Sequence, residues 1–395
     1  MYSYRQLFLN HVAQTSPAPL ALEFIKGRGV WLTDIRKKRY IDFISGIGVS
    51  SVGHAHPAVV NAVQKQVRKY AHLMVYGEYV QSPQVRLAHK LAEFLPPSLS
   101  SVYFVNSGAE AVEAAMKLAK RATGRSQVLS MQNAYHGSSQ GALSIMGDEY
   151  FKTSFRPLLP DTGIIRFNNT EDLEQITTRT AAVFAETVQG EAGAVAPDAE
   201  WLKALRARCT ETGALLVLDE IQAGVGRTGT LWAFEAYGVI PDILLLAKGI
   251  GGGMPIGLMI ASKELTGLFT HNPVLGHINT FGGNAVCAAA ALATLKVITE
   301  EKLYESVPEK EAMIRKFFSE RNIPVSGKGL LLAAHFNDED TNFKVIGKSI
   351  ENGLITDWFL FNSKALRMAP PLTISIRETG TALRRLEKSL QETGL

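Results

Sequence analysis

Cysteine is scarce: only Cys209 and Cys287 occur in 395 residues. Two thiols cannot staple a disulfide-rich fold, and their scarcity fits a reducing compartment. An excess of one charge is also lacking. The 41 Lys+Arg nearly balance the 37 Asp+Glu, leaving a formal charge of +4. The one basic block, Arg36-Lys37-Lys38-Arg39, reads as a solvated turn between two strands, so no nucleic-acid partner is expected. Long apolar runs are missing too. The longest, about Ala285 to Ile298, is Ala-rich and too short to span a bilayer. The first residues, Met1-Tyr2-Ser3-Tyr4-Arg5-Gln6, lack the basic-then-apolar profile of a secretory signal. A cytoplasmic globular protein without membrane association is the expectation.

What is present is a chain 46% hydrophobic and 20% charged, which excludes disorder and a coiled coil and allows a large core. Residues 1–100 read as mixed structure: a short helix near Tyr4–Val12, extended runs at Leu20–Ile25 and Val30–Thr33, a glycine-punctuated loop at Gly46–Ser50, and helices near Pro57–Tyr70 and Pro83–Phe94. Over 101–300 short apolar runs alternate with helical patterns. Val102–Val105 precedes Ala109–Arg121, Ala181–Thr187 precedes Ala199–Glu211, and Leu215–Leu218, Ile243–Ala247 and Ile256–Ala261 follow. A long helix near Gly283–Glu300 closes this region. Such alternation predicts an α/β domain with a mostly parallel sheet. Residues 301–395 return to mixed texture, so the two ends are expected to share a small α+β lobe.

Ligands of open α/β sheets bind beyond the carboxyl ends of the strands. Three such ends are polar here. Asn106-Ser107-Gly108-Ala109-Glu110 leads into a helix; it reads as an anion seat at the helix N-terminus or as a Ser cap with Glu in the capping-box position. Leu215-Leu216-Val217-Leu218-Asp219-Glu220 delivers two carboxylates, whose partner is a cationic ring nitrogen or an arginine such as Arg227. Ile243-Leu244-Leu245-Leu246-Ala247-Lys248-Gly249 ends in a lysine that either snorkels to water or is desolvated into a nucleophile. The Gly224-Val225-Gly226-Arg227-Thr228-Gly229 match to G-x-G-x-x-G is set aside. Its first glycine does not directly follow a strand, and Asp219 and Glu220 would face the pyrophosphate.

Together these segments closely resemble the class-III aminotransferases, which use pyridoxal 5′-phosphate (PLP) and have the type-I PLP fold. The resemblance is strongest from Asn106 to Gly283, and Asp219 and Lys248 stand 29 positions apart as in that family. It implies that Lys248 carries PLP covalently and then moves the substrate proton. Asp219 would keep the pyridine nitrogen protonated. Ser107, Gly108 and Ala109 would form the phosphate cup, Tyr135 would stack on the ring, Gln222 would contact its hydroxyl, and Glu186 would lie in the cofactor site. Thr280 matches a threonine that reaches the phosphate of the neighbouring subunit, which implies a homodimer. His136 matches a structural position. His54 and His56 match a packed loop, so no metal is expected.

For the substrate, Arg367 matches an arginine for the α-carboxylate, and Glu191 a glutamate that neutralises it when the other substrate is bound. This pairing implies 2-oxoglutarate as acceptor. Acetylornithine, ornithine and 4-aminobutyrate enzymes commonly carry an arginine where this chain has Ser138, and Ile47 matches the 4-aminobutyrate branch. The resemblance therefore implies an ω-aminotransferase nearest the acetylornithine and 4-aminobutyrate enzymes, with direct use of ornithine unexpected. The alternatives are a broad ω-amine transaminase, or an aminomutase or racemase of the same fold.

Overall fold

The computed structural model describes residues 3–395. Its centre is a seven-stranded sheet in the spatial order Ser101–Val105, Gly257–Ala261, Ile243–Leu246, Leu215–Asp219, Thr180–Glu186, Gln127–Met131, Thr162–Ile165. Only Gly257–Ala261 runs against its neighbours. The middle strands are buried on both faces, which is why Leu215-Leu216-Val217-Leu218 and Ile243-Leu244-Leu245-Leu246 read as continuous apolar runs instead of alternating.

Local chemistry sets the helix ends that point at the sheet edge. Helix Gly108–Thr123 begins at Ser107, whose Oγ accepts the Glu110 N–H, and stops at Gly124 with φ 68°. Helix Ala199–Thr212 is capped by Asp198 and ends at Gly213 with φ 70°. The apolar helix Ala285–Glu300 is buried nearly all round, and Pro57–Val67 and Ser82–Ala92 pack on it.

Two four-stranded sheets flank this core. One joins Phe24–Arg28, Trp31–Asp34 and Arg39–Asp42 to Leu354–Ile355, so both ends of the chain build one small lobe. The other is ordered Val325–Lys328, Leu331–His335, Asn362–Met368, Asp357–Phe359. The basic block lies in the turn after Trp31–Asp34, with Arg39 opening the next strand.

Two local expectations differ from the structure, and one strand goes unread in the sequence. The first extended run starts only at Phe24, because Ala21 breaks it with a left-handed φ of 48° and the ladder register begins at Phe24. The Gly46–Ser50 loop overlaps a single turn, Ser45–Gly48, with Gly46 and Ile47 in left-handed conformation. Strand Asn362–Met368, in a segment too mixed to read as extended, is a full seven residues and carries Arg367. Among the described residues no helix is long and apolar enough to cross a membrane.

Candidate active site

A cavity of about 480 Å³ opens at the carboxyl ends of the central strands. Its wall brings together Ser107, Gly108, Ala109, Tyr135, Ser138, Glu186, Asp219, Gln222 and Lys248, residues drawn from chain positions more than a hundred apart. The fold does this because each follows a strand of one sheet and so arrives at the same edge.

Lys248 comes two residues after strand Ile243–Leu246, at a left-handed φ of 43°. Its amine has no hydrogen-bonded partner among the described residues. Burial pushes its pKa below the ordinary lysine value, against the opposing pull of Glu191 and Asp219. The group is thus held toward the neutral, nucleophilic form.

Asp219 is 3% exposed, which puts a carboxylate in a nearly dry site that must compensate it. Its Oδ1 accepts the Ile221 N–H at 2.9 Å, and its Oδ2 lies 2.7 Å from Nδ1 of His136, which donates to it. Arg227 is not the partner. Its guanidinium is buried elsewhere, donating to the carbonyls of Leu330 and Pro370. Burial works to lower the His136 pKa, but the hydrogen bond and charge of Asp219 raise it above the usual value. Neighbouring Glu220 is fully satisfied by the N–H groups of Ala233 and Phe234, at 2.7 Å each, and by Thr187 Oγ1 at 3.0 Å. It braces a loop and does not face the cavity.

Behind the wall residue Gln222 lies a buried ion pair, neither member of which lines the cavity itself. Arg367 forks onto Glu191, Nη2 to Oε2 at 2.6 Å and Nη1 to Oε1 at 3.0 Å, with both side chains under 5% exposed. Gln222 Nε2 adds a bond to Glu191 Oε1 at 3.1 Å, and the Leu360 N–H one to Oε2 at 3.1 Å. Burial tends to raise the Glu191 pKa, yet Arg367 holds it below the ordinary carboxylate value.

The residues present fit PLP. Ser107 uses its hydroxyl on Glu110, so the Gly108 and Ala109 N–H groups stay open to an anion at the start of a sixteen-residue helix. The seat is closely cut: a Cβ on Gly108 would meet Ile221 at 2.7 Å, and one on Gly137 would meet Ala109 at 2.6 Å. An anion seat, a buried carboxylate, a desolvated amine and Tyr135 share one cavity. Bound there, PLP supplies an electron sink for the pair released when a Cα–H bond breaks.

A family model described as aminotransferase class-III matches residues 12–390. The chain belongs to the class-III aminotransferases. The acetylornithine aminotransferase of Methanopyrus kandleri is 37% identical over 388 residues, 97% of each chain. That of Bacillus cereus is 38% identical over 377 residues, 93% of this chain and 94% of its own. Among solved structures, the ornithine aminotransferase from Toxoplasma gondii superposes with a TM-score of 0.92 at 29% identity, covering 99% of this chain and 94% of that one. An (S)-enantioselective omega-transaminase from Thermomicrobium roseum reaches 0.91 at 28% identity, covering 100% and 99%. This class-III aminotransferase is a PLP-dependent transaminase of the type-I fold, and amino-group transfer is its reaction.

Some expected residues stand apart from the cavity of this aminotransferase. Thr280 is exposed on the segment before helix Ala285–Glu300 and does not line the cavity. Ile47 is half-buried in its left-handed turn, and Val49 is the residue of that segment at the wall. Ser138, by contrast, lines the wall at an exposed position, the cavity rim, its hydroxyl 3.2 Å from that of Tyr135. His54 faces Asp42 at 2.7 Å, and among the described residues no group of three His, Cys, Asp or Glu is placed to hold a metal. Sequence reasoning treated His136 as structural and did not foresee its bond to Asp219; a histidine next to the wall aromatic was the available signal. It also passed over Ile221 in the wall and the Leu360 N–H, for which no local pattern exists.

Proposed function

We propose that this class-III aminotransferase moves the amino group of an ω-amino donor, an N-acylated diamino acid resembling acetylornithine, to 2-oxoglutarate, giving glutamate and an aldehyde. The observation that carries the reading is the buried fork of Arg367 on Glu191. A transaminase binds two substrates in turn in one pocket. Arg367 offers planar bidentate recognition to the α-carboxylate of 2-oxoglutarate once Glu191 swings away. When the donor presents its ω-amine, Glu191 returns and no bare guanidinium faces an uncharged part of the substrate.

In this reading Lys248 holds the cofactor and, once freed, moves the proton at the substrate Cα or its ω equivalent. Asp219, oriented by His136, faces the ring nitrogen and keeps it protonated. Ser107, Gly108 and Ala109 receive the phosphate, Tyr135 covers the ring and Gln222 reaches its hydroxyl. The donor class is supported by the curated acetylornithine aminotransferases, which match over nearly the whole chain. Thr280 supports a homodimer with shared sites, since its exposed position leaves it free to reach a second copy. Two buried, unpaired cysteines suit a reducing cytoplasm.

Ser138 favours a second reading, a broad ω-amine transaminase, and Ile47 favours a 4-aminobutyrate transaminase. Ser138 stands where acetylornithine and 4-aminobutyrate enzymes commonly carry a second arginine, so the usual grip on a donor carboxylate beside Tyr135 is missing. A donor screen decides between them. Acetylornithine, 4-aminobutyrate and long monoamines are each mixed with holoenzyme, the cofactor absorbance is followed, and 2-oxoglutarate is then added. Rapid bleaching by acetylornithine with glutamate released is the expected result. Reaction with monoamines alone and no response to 2-oxoglutarate would overturn the Arg367–Glu191 assignment. Product formed without glutamate would favour an aminomutase or racemase.

A further inference from the structure

Glu186 ends the strand Thr180–Glu186, directly in register with Asp219 on the neighbouring parallel strand. It is 4% exposed, and its carboxylate is committed to two main-chain groups. Oε2 accepts the N–H of Tyr135 at 3.2 Å, and Oε1 accepts the N–H of Gly190 at 3.0 Å. Tyr135 is the aromatic of the cavity wall. Gly190 immediately precedes Glu191, the partner of Arg367. The two loops come from different strands and share this one anchor.

They also meet at their far ends. The Phe361 N–H donates to the Glu191 carbonyl at 3.1 Å, and the Phe361 ring lies 6.4 Å from that of Tyr135. Gly190 packs closely on Gln222, whose Nε2 would lie 2.8 Å from a Cβ there. Glu186, Tyr135, Phe361, Glu191 and Gly190 thus close a ring of contacts beside the cavity, with Glu186 and Tyr135 in its wall.

We propose that Glu186 is a positioning residue, which hangs the aromatic wall and the Arg367–Glu191 switch from a single carboxylate so that neither can shift alone. An ionised carboxylate accepts both N–H groups. A protonated one turns an oxygen into a hydroxyl, a donor and a poorer acceptor, and weakens its bond to one of them. The charged groups facing it are His136, Asp219 and Lys248. Burial raises its pKa, the His136 charge opposes this, Asp219 reinforces it, and the result is pushed up to about 7. Anchoring therefore responds to pH in the neutral range, with both loops held on the alkaline side. The part concerning the switch rests on the proposed role of Arg367 and Glu191.

The test compares wild-type holoenzyme with Glu186→Gln and Glu186→Asp by hydrogen-exchange mass spectrometry, visible circular dichroism of the bound cofactor, and steady-state kinetics. In Glu186→Gln the segments around Tyr135 and Gly190 are expected to lose protection together, with the cofactor still bound and its dichroism altered. The donor half-reaction falls by roughly 10- to 100-fold from misplacement, KM for 2-oxoglutarate rises, and the neutral inflection of the pH profile vanishes. Glu186→Asp, shorter but still ionisable, keeps that inflection. Unchanged protection in both segments, or loss in only one, overturns the proposal, as does a neutral inflection that survives Glu186→Gln. If Glu186→Gln does not fold, Glu186→Asp decides through the same paired protection. A wild-type enzyme that ignores 2-oxoglutarate sinks the acceptor assignment alone; the paired exchange result still judges Glu186.

Discussion

Replacing Arg367 with Met leaves the Glu191 carboxylate buried without its cation. Breaking a buried pair by removing one partner costs about 3–5 kcal/mol, because the survivor is stranded in low dielectric. Glu191 keeps the Leu360 N–H and the Gln222 amide, which places the cost near the lower end, ~3 kcal/mol. Unfolding entropy of about 2.1 cal/mol/K per residue then converts this to a fall in Tm of about 4 °C for a chain of this length. Adding Glu191→Gln to Arg367→Met removes the stranded charge and is expected to restore about half of the loss.

The pH dependence carries a sign as well. In the native protein the Glu191 pKa is lowered, so its contribution is present above the ordinary carboxylate range and lost as the pH falls toward the folded value. Without Arg367 burial outweighs the remaining opposition of the Leu360 N–H and Lys248 and raises it, so stability is present in acid and lost as the pH rises. The Tm gap between wild type and Arg367→Met therefore widens from about pH 5 to about pH 8. Thermal melts of cofactor-saturated protein at both pH values measure this. Equal losses for the single and double variants, or a gap that narrows with pH, would refute the stranded-charge argument.

Three further outcomes are expected. Asp219→Asn removes the charge facing the ring nitrogen while leaving the phosphate seat intact, so cofactor stays bound and turnover falls by roughly 10²- to 10³-fold; single-turnover absorbance checks this, and a wild-type rate contradicts the role. Ser138→Arg restores a cation at the cavity rim and should lower KM about tenfold for donors with a free carboxylate, but not for monoamines. Burial pushes Glu220 up to about 7 from an ordinary 4.5, so its stabilising contribution is complete below the ordinary value and lost as pH rises through 7; Glu220→Gln should flatten Tm against pH over that window, and an unchanged slope argues against it.

Much of the site was legible because chemistry and strand endings coincide. Ile243–Leu246 and Leu215–Asp219 are apolar runs that must be buried, so the polar residue after each run has to emerge at a sheet edge. Ser107 likewise announces a helix start whatever its neighbours are. Other parts had no local trace. Strand Arg39–Asp42 is short and half charged, and Leu354–Ile355, its parallel partner, is two residues long. Their pairing over more than three hundred positions leaves no periodicity to read.

The sequence by itself determined the alternation of buried strands and covering helices, and with it which lysine and which aspartate stand at the ligand edge, because burial pattern and strand ends are local properties. Tertiary structure alone decided the partners. Asp219 meets His136 and not Arg227, and Glu186 ties Tyr135 to Gly190. Such pairs depend on distances in space between groups that exert no influence on one another along the chain, so packing has to bring them together before they have any chemistry to share.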